Sequence, residues 1–270
     1  MYLTFRKYWS ILSVSWQNGL VYRMSVFMWR LRRFLATLMA LAIWTTIYSN
    51  TGTHPVAFGY AKADMISYIF LIAILQNLVM ASAIQGLAQD VYSGAISSQL
   101  LKPLSFTAYL IMQEIADKLK NVSAMVVEFI ALFFIFKPTL VFPEPSTIGI
   151  FLLWALGAVI LNFCITLLFG SLGFWSPETW GPRFLFHTLL GFTAGELFPL
   201  DVLPVVFQKI MYATPFPYLS FVQTQLFLGK YTPEESLYHT AILTIWIILA
   251  AVAAHLIWKK GLRSYEAAGQ

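Results

Sequence analysis

Residues 146–177 form a run without a charged side chain, STIGIFLLWALGAVILNFCITLLFGSLGFWSP. A helix needs about 20 apolar residues to cross the hydrocarbon core of a bilayer, so this run is long enough for a membrane span. The whole 270-residue chain has the same character, with 59% hydrophobic and 11% charged residues. Because about a quarter of the residues in soluble domains are charged, the composition indicates an integral membrane protein.

Charge-poor runs of this kind cover residues 34–52, 65–89, 121–136, 146–177, 184–200 and 236–258. Glu128 interrupts the third run, and Glu196 interrupts the fifth. Strands of a transmembrane barrel alternate apolar and polar residues, whereas these runs are apolar on all sides. The sequence therefore predicts an all-α integral membrane fold with six transmembrane helices in a single domain, residues 1–270.

The distribution of Lys and Arg predicts the orientation of these spans, since cytoplasmic loops of membrane proteins are enriched in both residues. With a cytoplasmic N-terminus, thirteen of the 17 Lys and Arg residues fall on the cytoplasmic side. The other four are Lys62, Lys137, Lys209 and Lys230. We therefore expect a multi-pass protein with both termini in the cytoplasm.

Residues 1–33 combine large apolar side chains such as Tyr2, Trp9 and Trp16 with basic ones such as Arg6 and Lys7. Their spacing is roughly helical, which is typical of a helix that lies in the lipid headgroup layer. We predict an N-terminal interfacial amphipathic helix here. The alternative is a plain cytoplasmic lead-in to the first span.

Residues 196–230, called the outer segment below, contain four prolines in an otherwise apolar run: Pro199, Pro204, Pro215 and Pro217. Proline lacks a backbone N–H and interrupts a helix, so one straight span cannot form. We predict short helices that enter the membrane from the outer side and return to it between spans five and six. Such irregular backbone is tolerated at membrane depth where it is buried against protein.

Motifs for nucleotide, metal or nucleophilic chemistry do not occur in this sequence. It has no G-x-x-x-x-G-K-[ST], no H-E-x-x-H and no G-x-S-x-G. Its four histidines lie apart and Cys164 is its sole cysteine, so no metal site is expected. The net charge of +5 is attributed to cytoplasmic loops and anionic lipid rather than to nucleic acid. Any energy from ATP must come from a partner chain.

Ionisable residues inside a span are costly, so Glu128 and Glu196 each suggest a function. Glu128 either pairs with a neighbouring helix or faces an internal cavity. Glu196 either reaches water at the outer boundary or lines a gate or substrate path. A charged patch just before the third span is expected to be solvated or mutually paired; it consists of Glu114, Asp117, Lys118 and Lys120.

Residues 88–105, called the coupling loop below, connect the second and third predicted spans on the predicted cytoplasmic side. The segment is short, amphipathic and closed by Pro103. Val91, Ala95, Ile96 and Leu100 could form one apolar face of a short helix, which a cytosolic partner could accept in a groove. An interfacial helix without a partner is the alternative.

Three stretches carry a family resemblance: Gly94-x-Ile96 followed by Leu100-Leu101-Lys102-Pro103, the basic ending from Trp258 to Gly269, and the proline-rich stretch 198–218. Together they resemble the permease subunits of type-2 ABC exporters. The resemblance implies a permease that works with a second permease chain, identical or paralogous. It also implies two cytosolic ABC ATPase subunits, which would carry ATP and magnesium.

The resemblance further implies roles for individual residues. Those expected to transmit ATPase closure are Asp90, Tyr92, Gly94, Ile96, Leu100, Leu101, Lys102 and Pro103. Those expected to form an outer gate or translocation path are Glu196, Pro199, Asp201, Pro215 and Pro217.

The leading hypothesis is a non-enzymatic permease of the bacterial cytoplasmic membrane that exports an amphipathic or hydrophobic substrate. One rival is an intramembrane enzyme that uses Glu128, Glu196 or a histidine, although these residues form no recognisable constellation. The other rival is a passive channel lined by the polar residues of the second span. Those residues are Gln76, Asn77, Gln85 and Gln89.

Overall fold

The computed structural model of the protein describes residues 9–17, 23–50, 56–102 and 105–265. These residues are mostly helical. They include one small hairpin, in which the two-residue strand Val56–Ala57 (β1) pairs antiparallel with the two-residue strand Tyr60–Ala61 (β2). The α-helices in chain order are α1 (9–17), α2 (Arg23–Asn50), α3 (Lys62–Leu75), α4 (Leu87–Tyr92), α5 (Ser97–Leu100), α6 (Phe106–Phe136), α7 (Pro145–Ser171), α8 (Trp180–Thr193), α9 (Val205–Tyr212), α10 (Phe221–Phe227) and α11 (Pro233–Arg263).

Among the described residues, four helical stretches are long and apolar enough to cross a membrane: Lys62–Met80, Phe106–Phe136, Pro145–Phe174 and Pro233–Arg263. They correspond to the second, third, fourth and sixth predicted spans. The helices at the first and fifth positions are α2, with 28 residues, and α8, with 14 residues. Neither is among the four, so the count of six spans stays a prediction.

Helix α3 lies at the centre of the bundle and is buried from Met65 to Ala73. It contacts α2 and α10, and the π-helical turn that continues it, Gln76–Met80, contacts α6 and α7. Helix α7 packs along α11, and the Trp154 indole donates a hydrogen bond to Thr240 Oγ1 at 2.8 Å. The outward faces carry exposed apolar side chains such as Val127 and Leu152, as expected of a bundle surrounded by lipid.

The N-terminal part of the chain differs from the prediction in one respect. Helix α2 runs without interruption from Arg23 to Asn50, so the predicted arm–span boundary at residue 33 does not coincide with a helix end. Two arginines of this helix find hydrogen-bond partners within the bundle. Arg30 and Arg33 both donate to Asn77 Oδ1 at 2.9 Å. Residues 1–8 and 18–22 of the predicted arm lie outside the described residues.

The third helix begins earlier than its predicted span because α6 starts at Phe106 rather than near Asn121. The charged patch therefore lies within α6 and not in a loop before it. Its members form two ion pairs, Lys118–Glu114 at 3.0 Å and Lys120–Asp117 at 3.1 Å. Pairing within one helix lets these charges remain where the helix enters the bundle.

The outer segment consists of short helices separated by turns. It contains a 3₁₀ turn at Leu200–Val202, helix α9, a second 3₁₀ turn at Phe216–Leu219 and helix α10. Pro199, Pro204 and Pro215 each stand at the residue before one of these elements begins, where a missing N–H costs no hydrogen bond. Whether the segment enters the membrane stays a prediction.

Candidate functional site

The coupling loop folds as two short helices rather than the expected single one. Helix α4 ends at Tyr92, a turn follows, and α5 begins at Ser97. Gly94 makes this turn possible with φ of +78°, a backbone conformation that other L-residues adopt only with strain. The turn brings Val91 and Ile96, which lie on either side of it, into the same buried cluster.

The apolar side of the coupling loop is turned toward its own bundle. Val91 and Ile96 are buried together with Ile84, Leu87 and Leu110 in a small cluster. The single apolar face expected to enter a partner's groove is therefore wrong for Val91 and Ile96. Burial against the protein removes their apolar surface from water and fixes the loop to the bundle.

Two further contacts hold the coupling loop in place. Helix α4 lies so close to the end of α7 that a Cβ atom added to Gly173 would stand less than 3.0 Å from the carbonyl oxygen of Ala88. On the other side, the hydroxyls of Ser97 and Tyr265 lie 2.8 Å apart, which joins α5 to the end of the described C-terminal region. The coupling loop is thus attached to both α7 and α11.

Other side chains in the described part of the coupling loop are exposed. The Tyr92 side chain is 55% exposed and the Leu101 side chain is 87% exposed. Lys102 Nζ donates to Gln99 Oε1 at 2.6 Å beside them. Exposed apolar side chains next to polar ones are the usual composition of a protein interface.

A cleft of about 190 Å³ lies behind the coupling loop, between it and the start of α6. Asp90, Gln99, Tyr109 and Gln113 bring polar atoms to its lining. Burial at this cleft raises the pKa of the Asp90 carboxyl. Leu100 packs partly buried at the edge of the small cluster, and Pro103 lies outside the described residues.

The second predicted span breaks between α3 and α4, a feature that the sequence did not reveal. The backbone is extended at Ala81 and Ser82, with ψ of 132° and 135°. Lys118 Nζ donates to Val79 O at 3.0 Å and also to Ala81 O. Glu114 Oε2 accepts from Ser82 Oγ at 2.8 Å and from the backbone N–H of Ala83 at 3.0 Å. The sequence does show Glu114 and Lys118 at helical spacing in α6. Nothing near them in the sequence indicates that they bond to the backbone of the second predicted span.

Glu128 takes part in a polar cluster between α2 and α6. Its Oε1 atom lies 3.4 Å from Arg30 Nη1, and both side chains are largely buried. Arg30 also bonds to Asn121 and Asn77. Of the two interpretations of Glu128, pairing with a neighbouring helix is the one that the structure displays.

The candidate gate residues of the outer segment do not all contribute to one contact. Asp201 Oδ2 accepts from Tyr60 Oη at 2.6 Å and from Gln225 Nε2 at 3.3 Å. Glu196 lies in the turn after α8, where Arg33 is an electrostatic neighbour. Pro199 and Pro217 are buried, and Pro215 is half-buried ahead of the second 3₁₀ turn.

Comparison with known proteins identifies the family of this chain. The family model described as "ABC-2 family transporter protein" matches residues 34–269, which is most of the chain. The chain belongs to the ABC-2 transporter family. A search of curated proteins returns no match.

As a member of the ABC-2 transporter family, the protein is a multi-pass membrane permease with a role in transport. Proteins of this family generally work with ABC ATPase partners. The match includes the coupling loop and the outer segment, and it begins at Phe34, after the predicted N-terminal arm. Membership favours a non-catalytic permease subunit.

Proposed function

We propose that the protein is the membrane-spanning permease of an ATP-binding-cassette exporter. It moves an amphipathic or hydrophobic substrate outward across the bacterial cytoplasmic membrane, as one of two permease chains in the complex. Two cytosolic ATPase subunits, which bind ATP and magnesium, dock on the coupling loop and supply the energy. Both termini face the cytoplasm, and the whole chain acts as one permease domain.

The observation that carries this proposal is the two-sided construction of the coupling loop. Tyr92 and Leu101 are exposed on one side, while Val91 and Ile96 are anchored in the bundle on the other. A docked ATPase that pushes on the exposed side therefore meets a loop attached to α6 and to the end of α7. This arrangement suits the transfer of a movement better than a loop with no packing behind it.

Contacts in the second span do not favour the rival functions. Asn77 Nδ2 donates to Ala73 O at 2.8 Å, and Gln85 Nε2 donates to Met80 O at 3.5 Å. Both side-chain amides donate to backbone carbonyls of the same predicted span instead of presenting a polar face to a pore. The ion pair between Glu128 and Arg30 likewise supports a structural role for Glu128 rather than acid–base catalysis.

The test is recovery of an ATPase with the tagged protein from its native membrane in a gentle detergent. We expect a nucleotide-binding subunit and Mg-ATP hydrolysis with the wild-type chain, and loss of both with Leu101→Asp. The matched control is Phe142→Asp, because Phe142 is also an exposed apolar residue, 78% accessible, in the loop between α6 and α7. A wild-type chain that recovers no ATPase, or equal recovery with Leu101→Asp, contradicts the proposal.

A further inference from the structure

The break between α3 and α4 interrupts the helical hydrogen bonds of the second predicted span. Residues 81 and 82 are extended, so the helical hydrogen bonds stop at the bond from the Ala81 N–H to Gln76 O. An unpaired carbonyl or N–H buried in a membrane protein costs free energy. Such a break persists only where other groups supply the missing hydrogen bonds.

Two side chains of α6 supply several of these bonds. The Lys118 ammonium donates to the carbonyls of Val79 and Ala81, on the α3 side of the break. The Glu114 carboxylate accepts from Ser82 and Ala83, on the α4 side. The two side chains also form an ion pair of 3.0 Å with each other, and both residues are buried.

Neighbouring helices complete the arrangement around the break. Asn162 of α7 donates from Nδ2 to Val79 O at 2.8 Å, and Arg33 of α2 donates to Gln76 O at 3.2 Å. Arg183 of α8 donates to Gln85 O. Side chains of four helices therefore bond to backbone groups between Gln76 and Gln85. Among the described residues, α6 is the helix whose side chains bond on both sides of the break, through Lys118 before it and Glu114 after it.

The position of the break decides what this pair can do. The central helix α3 lies before it, and the coupling loop begins a few residues after it. We propose that Glu114 and Lys118 act as a clasp, a pair of positioning residues that fixes the angle between α3 and α4. Movement of the coupling loop then reaches α3 and α6 together. The clasp rests on the proposed function, because it transmits what a docked ATPase delivers.

A different result is expected if the same pair has only a structural role. Replacement of both members of a buried ion pair by neutral residues is often tolerated for stability. The double variant Glu114→Gln with Lys118→Met also removes bonds to the break, so its insertion and its retention of the ATPase are measured first. Both are expected, since Asn162 still donates to Val79 O and Leu101 and Tyr92 are unchanged. A clasp loses its function in this variant, whereas a structural pair does not.

The experiment measures the distance between the two ends of the broken span by pulsed electron paramagnetic resonance. Spin labels are placed at Lys62 and Ser98, both exposed, in a Cys164→Ala background. The complex with its ATPase is reconstituted in nanodiscs and measured without nucleotide and with Mg-ATP and vanadate. We expect a shift of the distance in the wild-type protein, and a broad distribution without a shift in the double variant.

Two controls separate the clasp from general effects of charge. Lys118→Arg keeps a cation at the break and is expected to restore the shift. The pair Asp117 and Lys120 lies in the same helix but is more exposed than the clasp, so Asp117→Asn with Lys120→Met is expected to behave as wild type.

Each remaining outcome counts against one proposal in particular. A double variant that shifts as the wild type does, or a wild-type complex that does not respond to nucleotide, overturns the clasp alone. A wild-type chain without any ATPase overturns the proposed function, and the clasp with it.

Discussion

The coupling loop and the outer segment are both built from short helices, yet the last helix of one is accessible and the last helix of the other is buried. Helix α5 of the coupling loop has no buried residue, and Leu101 follows it with an almost fully exposed side chain. Helix α10 of the outer segment is buried from Phe221 to Leu226, including Gln223 and Gln225.

Short helices therefore leave different surfaces exposed in the two regions. The coupling loop is anchored on one side and open on the other, which suits a surface that receives a partner. In the outer segment, buried polar groups of α10 bond to neighbouring residues, as Gln225 does to Tyr60 and Asp201. Close packing of this kind holds α10 in place.

The largest expected effect comes from forcing the coupling loop away from its anchor. Gly173→Ala places a Cβ atom against the carbonyl oxygen, carbonyl carbon and Cα of Ala88, all closer than 3.0 Å, and backbone on both sides leaves little room to adjust. We expect destabilisation of about 3 kcal/mol or more, the upper range for overpacking, together with loss of ATPase stimulation. Thermal unfolding in detergent and the ATPase assay measure the two effects.

Gly149→Ala is the control for this variant, because Gly149 lies near the start of helix α7 and a Cβ atom added to it would have no neighbour within 4 Å. It should leave both measurements unchanged. Equal melting temperatures for the two variants would mean that α4 is not held by close backbone contact.

The corresponding variant of the outer segment is Gln225→Ala, which deprives Tyr60 and Asp201 of a buried donor. Loss of a buried hydrogen-bond partner costs about 2 kcal/mol, so the melting temperature should fall. Retention of the ATPase should not change, since the coupling loop is distant in the fold. Loss of the ATPase with Gln225→Ala would contradict the separation of the two regions.

A smaller effect is expected from the turn of the coupling loop. Gly94→Ala forces a side chain into a conformation with φ of +78°, which costs about 1–2 kcal/mol. Hydrogen exchange should show faster opening of residues 91–100, with weaker retention of the ATPase. Gly86→Ala is the control, because the φ angle of Gly86 is −83° and its surroundings are open; equal exchange rates would contradict the prediction.

The smallest effect is expected from Tyr265→Phe, which removes the hydroxyl that lies 2.8 Å from Ser97 Oγ. The ring contact with Phe174 remains, so the cost should be about 1 kcal/mol, the typical value of one hydrogen bond. Retention of the ATPase in the pull-down measures it. Tyr238→Phe serves as the control on an exposed tyrosine, and a loss as large as that of Gly173→Ala would be too great for this mechanism.

Local patterns predicted much of the fold but not the contacts that complete it. The apolar runs located the four long helices, and the prolines coincide with the starts of short elements in the outer segment. The break at Ala81 and Ser82 was missed because the run 65–89 is uniformly free of charge. Its stabilising partners, Glu114, Lys118 and Asn162, come from other helices, so no spacing within the run could indicate them.

The sequence by itself determined the membrane class, the helical fold and the position of the coupling loop, since these depend on length, polarity and local turn chemistry. The tertiary structure decided which side chains of the loop are buried, that Glu128 pairs with Arg30, and that α3 ends at a break held by α6. The physical reason is that a buried charge or backbone group is satisfied by whichever donor or acceptor the fold brings to it. That partner is set by packing between helices and not by distance along the chain.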